Sequence, residues 1–323
     1  MIAKKQYVTE LETGEELLNE PFLLQDVVRR QARDGRPYLL TTLRDKTGQV
    51  NAIFWDVPDY IDDWLRPGSP VLVTGRVNLY RDVNQVAITD LNEAAPIDMA
   101  ELLPSSKRSR AEMTTELQDH IRSLSEPWQA LVSRLLLEEP WAHAYANAPA
   151  ARQMHHAYIG GLLEHSLSMA SLARLLSTHY PYVDTDLLVS GALLHDLGKA
   201  QEYTLEDGFR YSEDGRLVGH IVRAIVIVEQ AAAEMNFPEQ DLRRLVHLIA
   251  SHHGTHEWGA PVLPKTLEAV LLHQIDLMDS RVQGFLDHVG NDSRAGDWTV
   301  KRSEMFGTEL LRPSGFDDEP DTD

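Results

Sequence analysis

The stretch best equipped for chemistry is Leu193-Leu194-His195-Asp196-Leu197-Gly198-Lys199, where an apolar run delivers a histidine and an aspartate side by side. Both are costly to bury unless something pairs with them. Candidate partners flank them: His165 lies 30 residues earlier, His220 lies 24 residues after Asp196, and His252, His253 and Asp276 follow. A single histidine on an apolar face is more often a satisfied core residue than a ligand. Several imidazoles and carboxylates, with no lysine or arginine on the same faces, instead call for a cation. The set divides into two sites that share Asp196, whose two oxygens can bridge. His165, His195, Asp196 and Asp276 would hold one ion; Asp196, His220 and one or both of His252 and His253 would hold the other. Mixed imidazole and carboxylate donors favour Mn, Fe, Co, Ni or Zn over Mg. Two such ions about 3.5–4 Å apart bind both the attacking and the leaving oxygens of a phosphoryl displacement. Water is then the nucleophile, and no serine or cysteine is needed.

Helices must position these groups. Leu162, His165, Met169, Leu172 and Leu176 form one helical stripe, which turns His165 inward. Leu188, Ala192 and His195 form another. Asp196 is about 100° further round, so both side chains reach one point only if the helix ends there, and Gly198 is a candidate end. Leu242, Leu245, Val246 and Ile249 lead to His252 and His253 on the same side. Ala269, Leu272, Asp276 and Asp279 share a face, with Asp279 either supporting the site or lying on the helix surface. His220 opens a further helical run, with Gly219 leaving room beside it.

The first third of the chain is different. Short segments at 22–30, 37–44, 50–57, 71–80 and 85–91 read as strands, with Asp45-Lys46-Thr47-Gly48 as a hairpin turn. Five such strands suggest a small barrel or sandwich, and five is the count of an OB-fold. Neighbouring strand residues face opposite ways, so of Phe54 and Trp55 one fills the barrel and the other faces out. An outward Trp55 or Tyr38 among Arg44, Arg76 and Arg81 suits base stacking beside phosphate contacts; the alternative is that either ring covers a helix or a barrel end. Residues 1–95 thus form an all-β domain, 96–112 a linker with a basic cluster at Lys107, Arg108 and Arg110, and 113–290 an all-α domain. Residues 291–323 form an extension ending in an acidic tail.

The net charge of −20 counts against a generic, non-specific nucleic-acid binder, though not against a nuclease whose ions hold the phosphates. The sequence contains no cysteine, and no apolar run approaches the roughly 20 residues that span a bilayer. The first residues lack the apolar core of a secretory signal. A cytoplasmic protein with no membrane partner is the expectation.

His165, His195-Asp196, His220, His252/His253 and Asp276 together resemble the H…HD…H…H…D motif of the HD-domain metal-dependent phosphohydrolases. A narrower match covers both domains. RPYLLTTLRDKTGQVNAIFWD, GGLLEHS, LLHDLGKAQEY, GHI, SHHGTHEWGAP and EAVLLHQIDLMDS look like the YhaM-type 3′→5′ exoribonucleases. That resemblance implies an OB-fold followed by an all-α HD domain, a pair of divalent ions with Mn²⁺ foremost, and single-stranded RNA, or DNA as well, as partner. It also implies metal ligation by the residues just named and a catalytic role for Asp196, with Lys199 steadying a substrate phosphate; otherwise Lys199 is a helix-end lysine favoured by the dipole. Gly161 stands where trinuclear members carry glutamate, so two metals are expected. The GYP signature of cyclic-dinucleotide enzymes is missing after His253. A phosphohydrolase of small or cyclic nucleotides is the alternative, and a non-catalytic single-strand binder a second; oligomeric state stays open.

Overall fold

A computed structural model describes all residues except 1–2, 33, 82, 95–96, 98, 139, 152–155, 205–208, 291, 293–295 and 317–323, and except the side chains of 59 and 100. Most of the expected acidic tail lies outside the described residues.

The β domain contains β1 (Glu16–Leu24), β2 (Val28–Gln31), β3 (Pro37–Asp45), β4 (Gly48–Trp55), β5 (Pro70–Tyr80) and β6 (Val83–Glu93). Pairing runs β1-β5-β6-β4-β3, and β1 also pairs with β3 at Leu23 and Leu24, so the five strands close on themselves; β2 adds to β3. Leu39, Leu43, Val50, Ala52 and Phe54 from β3 and β4 fill the interior with Val71, Val73, Val77, Val86 and Ile88. The expected strand over 22–30 is in fact two strands, interrupted at 25–27. The first begins six residues earlier, where Asn19 takes a left-handed φ of 49° and shifts the register between Leu17 and Glu20. Such a bulge breaks the alternation by which a strand is recognised.

The helical domain consists of α1 (Arg110–Arg122), α2 (Trp128–Leu136), α3 (Trp141–Asn147), α4 (Gly161–His179), α5 (Thr185–Leu194), α6 (Lys199–Glu202), α7 (Glu213–Leu217), α8 (His220–Glu234), α9 (Glu239–Ser251) and α10 (Leu267–Gly290). Pro127, Pro140 and Pro238 each stand immediately before a helix, where a missing N–H costs little. A single core joins all the longer helices, with Leu163, Leu167, Leu188, Ala192, Leu245, Leu248, Leu272 and Ile275 at its centre. No helix among the described residues is long and apolar enough to cross a membrane.

The two domains meet through a third, small core. Leu23 of the barrel packs with Leu102 and Leu103 of the connecting segment and with Phe209. Phe209 immediately precedes β8 (Arg210–Tyr211), which pairs with β7 (Tyr203–Thr204) in a short hairpin. Arg210 donates to the Pro67 carbonyl of the barrel, and Glu101 of the connecting segment pairs with Lys46 at 2.9 Å.

Candidate metal centre and nucleic-acid face

The helix that carries His195 ends at Leu194, earlier than Gly198, and residues 195–198 form a turn. This turn brings His195 and Asp196 to the same point. Gly198 has an ordinary helical φ of −62° and is no left-handed cap; it is needed for close approach, since a Cβ there would lie 2.0 Å from the His220 carbonyl oxygen. The room beside His220 therefore comes from Gly198. Gly219 has nothing near it and instead supplies the left-handed φ of 77° from which α8 starts.

Asp196 stands at the centre. Its Oδ2 is 3.2 Å from His195 Nε2 and 4.0 Å from His165 Nε2. Its Oδ1 is 3.5 Å from His220 Nε2 and 3.6 Å from His252 Nε2. Asp276 Oδ1 lies 3.4 Å from His165 Nε2. His165, His195 and Asp276 can place three donor atoms within 4.8 Å of one another, as can His220, His252 and His253. All seven expected ligands are thus brought together, in two sets on either side of Asp196. His252 is buried and His253 half-buried, with rings 4.3 Å apart, so both belong to the cluster.

Each imidazole is held from behind. Nδ1 of His195 faces the Ala192 carbonyl at 3.0 Å, and Nδ1 of His252 the Ile249 carbonyl at 2.8 Å. Nδ1 of His253 meets the Trp258 carbonyl at 2.7 Å, His165 meets Asp279 at 2.7 Å, and His220 meets Glu202 at 3.0 Å. A donor held at Nδ1 leaves Nε2 with its lone pair inward, as a ligand requires. His195 Nε2, His220 Nε2 and Asp196 Oδ1 are buried and have no hydrogen-bond partner within the chain. Stranding three such atoms together is expensive, and a cation is the group that satisfies imidazole lone pairs and carboxylate oxygens at once. The residues present therefore fit a divalent metal.

Protonation follows the same geometry. Burial, with His195 alongside, keeps His252 well below the ordinary imidazole pKa, and burial likewise lowers His253. Both are neutral at neutral pH, the state that binds metal. Burial would also lower His165, but Asp276 and Asp279 outweigh it and raise it to about 9. Burial would raise the Asp276 carboxyl; its hydrogen bond to His165 and the surrounding histidines hold it low instead.

The expectation that no basic residue shares the buried faces is corrected here. Lys199 Nζ lies 2.6 Å from Asp196 Oδ2, because the 195–198 turn brings it back beside the aspartate. Burial disfavours its charge, yet the Asp196 contact raises its pKa. Asp279 lies inside the domain and accepts from Ser168 as well as facing His165 and His156, so the helix-surface alternative falls. Sequence reasoning missed Glu202 and His156. Glu202, three residues after Lys199, carried a signal only in the polar end of LLHDLGKAQEY. His156 Nε2 lies 3.2 Å from Asp279 and its Nδ1 lies 2.7 Å from the Tyr158 hydroxyl.

On the barrel, Tyr38 and Trp55 are cross-strand partners on the outer surface, with ring centroids 4.8 Å apart. Trp55 is 41% exposed, and the Arg36 guanidinium lies 5.6 Å from its ring. Phe54 points into the barrel. Arg44 and Arg76 do not join this pair. Arg44 stands opposite Leu23, at the domain seam, where burial lowers its pKa. Arg76 is exposed on β5, which β1 separates from β3, and donates to the Gly14 carbonyl at 3.2 Å.

Residues 162–281 match the HD domain family, and residues 25–94 match an OB-fold nucleic acid binding domain. Over 306 residues the chain is 33% identical to a protein of Listeria welshimeri named 3′-5′ exoribonuclease YhaM, a match spanning 93% of this chain and 95% of the relative. The chain belongs to the YhaM family. Proteins of the same name from a Geobacillus species and from Bacillus subtilis are 31% and 29% identical, over 95% and 94% of this chain and 94% and 96% of their own lengths. All seven metal-ligand candidates fall inside the HD match, and Tyr38, Arg44, Trp55 and Arg76 fall inside the OB-fold match. The OB-fold followed by a helical HD domain, expected from sequence, is the architecture of this YhaM-family chain.

Proposed function

We propose that this protein is a metal-dependent 3′→5′ exoribonuclease that shortens single-stranded RNA, and single-stranded DNA as well, by hydrolysing the terminal phosphodiester at a pair of divalent ions. Mn²⁺ is the first choice among them, with Fe, Co, Ni and Zn as alternatives. One observation carries the reading: the two oxygens of a buried aspartate face two separate histidine sets, and stranded atoms remain on both sides. When bound, such ions activate a phosphodiester and lower the pKa of water. His165, His195 and Asp276 would hold one, His220, His252 and His253 the other, and Asp196 both. Lys199 has the reach and the charge to move from Asp196 to a non-bridging phosphate oxygen as substrate enters. Tyr38 and Trp55 offer faces for bases; Arg44, at the domain seam, and Arg76, on β5, stand apart from that pair and would supply charge for the backbone elsewhere on the strand. The cytoplasm is the compartment this reading implies, and self-association is compatible with it.

Oligoribonucleotides labelled at the 5′ or the 3′ end, incubated with Mn²⁺, test the proposal. The expected result is a ladder of shortened 5′-labelled strands and immediate release of a labelled mononucleotide from the 3′ end, both abolished by chelation. Hydrolysis of mononucleotides or cyclic nucleotides without shortening of any strand would overturn it.

A further inference from the structure

The candidate metal cluster is closed on one side and open on the other. His165, His195, Asp196 and His252 are fully buried, whereas His220 and His253 are half-buried and the Asp276 side chain is 19% exposed. Substrate therefore enters along the edge formed by His220, His253 and Asp276. Trp258 stands directly behind His253, the half-buried histidine of that edge. Its carbonyl accepts from His253 Nδ1 at 2.7 Å, and its indole lies 6.0 Å from the ring of His273, whose Nδ1 meets the His252 carbonyl at 2.9 Å. The indole is nevertheless 51% exposed.

The turn that carries it is tightly closed. The turn His256–Trp258 is capped by the Thr255 side chain, which accepts from the Trp258 N–H, and is closed by Gly259 at a left-handed φ of 93°. Gly254, at φ 76°, lies against His273 so closely that a Cβ would be 2.2 Å from the imidazole. A large, solvent-accessible aromatic face carried on a tightly held turn whose main chain bonds a histidine of the cluster is suited to stacking on a base, and such stacking tolerates any base.

We propose that the Trp258 indole is the platform for the base of the 3′-terminal nucleotide, holding it while its phosphodiester meets the histidine–aspartate cluster. The assignment rests on the exoribonuclease reading. It gives the enzyme a requirement for a base at the terminal position without a preference among bases, and it separates the function of Trp258 from that of the barrel pair Tyr38 and Trp55, which would bind bases further along the strand. Because His253 is held by the Trp258 main chain, substitution of the indole leaves that hydrogen bond in place.

The test compares the parent, Trp258→Ala and Trp258→Phe on two oligoribonucleotides with Mn²⁺, one ending in an ordinary nucleotide and one ending in an abasic residue. On the ordinary end, Trp258→Ala is expected to lower kcat/KM by about 5- to 100-fold, the range that stacking of one base supports, and Trp258→Phe to recover most of it. On the abasic end the three proteins should be alike, with the parent itself slowed. A second readout needs no catalysis: adenosine 5′-monophosphate should quench the tryptophan emission of Trp55→Phe, which lacks the barrel tryptophan, and fail to do so when Trp258→Phe is added. Equal losses on both oligonucleotides, or none on either, would overturn the platform while leaving the nuclease intact. A parent that shortens neither strand would overturn the nuclease reading, and the platform with it.

Discussion

Among the described residues, two of the buried charge clusters, one in each domain, are finished differently. In the barrel, Lys4 lies between Glu20 and Asp45 at 3.5 and 3.3 Å and donates to the Pro21 carbonyl at 2.7 Å. Glu20 accepts the amides of Lys5 and Gln6, and Asp45 accepts those of Val8, Thr47 and Gly48 and the Thr47 hydroxyl. Burial presses the Lys4 pKa down, and the two carboxylates oppose this. Every group there has its partner within the chain. Around Asp196 the outer hydrogen bonds are equally complete, but the inner atoms point at one another and three are stranded. Both clusters are buried ionic networks, so burial of charge alone does not mark a site. What distinguishes the candidate metal centre is that its satisfied shell surrounds an unsatisfied centre, a pattern that an added cation would complete.

That comparison can be broken most severely at Asp196. Replacing it by Asn should abolish strand shortening and remove the ligand common to both ions; metal analysis of the purified variant and thermal unfolding after chelation check that binding, and not folding, is lost. In the barrel the effect should be on stability alone. Asp45→Ala leaves Lys4 buried beside one carboxylate and should cost about 3–5 kcal/mol, read by denaturant unfolding, with the number of bound Mn²⁺ ions unchanged. A change in metal content there would erase the distinction between the clusters. Glu202→Ala probes the finished shell around the unfinished centre. It should weaken Mn²⁺ binding by about 10- to 100-fold, partly restored by Glu202→Gln, as titration calorimetry would show. The barrel's outer face should yield the smallest changes. Trp55→Ala should weaken binding of a single strand by about 1–3 kcal/mol. Arg76→Ala should weaken it uniformly across sequences and lower the salt slope by about 1; an unchanged slope would remove Arg76 from the strand's contacts.

The same contrast explains what could be read from the amino-acid order. His165, His195 and Asp276 were legible because each is a polar group continuing an otherwise apolar helical stripe, an arrangement that periodicity exposes, and Asp196 because it follows an apolar run beside His195. Glu202 and His156 were not, since each stands in a polar stretch where a titratable residue is unremarkable, and only the fold brings them behind a ligand. Gly198 was legible as a special position but for the wrong reason: its role depends on the His220 carbonyl, distant in sequence. In the barrel, strand alternation separated Phe54 from Trp55 correctly. It could not show that Arg44 lies against the domain seam, because that placement depends on Leu23, Leu102, Leu103 and Phe209 meeting from three parts of the chain.

The hairpin of β7 and β8 begins immediately after Glu202, which holds His220, and ends against the barrel through Phe209 and Arg210. It is a strut between the barrel and the helical domain, beside the candidate metal centre. On the exoribonuclease reading, a strut of fixed length would set the spacing between barrel and metal centre and make the enzyme a ruler. Digestion should halt when the remaining fragment is too short to reach from one end of the strut to the other, so the size of the leftover oligonucleotide would be a dimension of the scaffold and independent of the sequence being degraded.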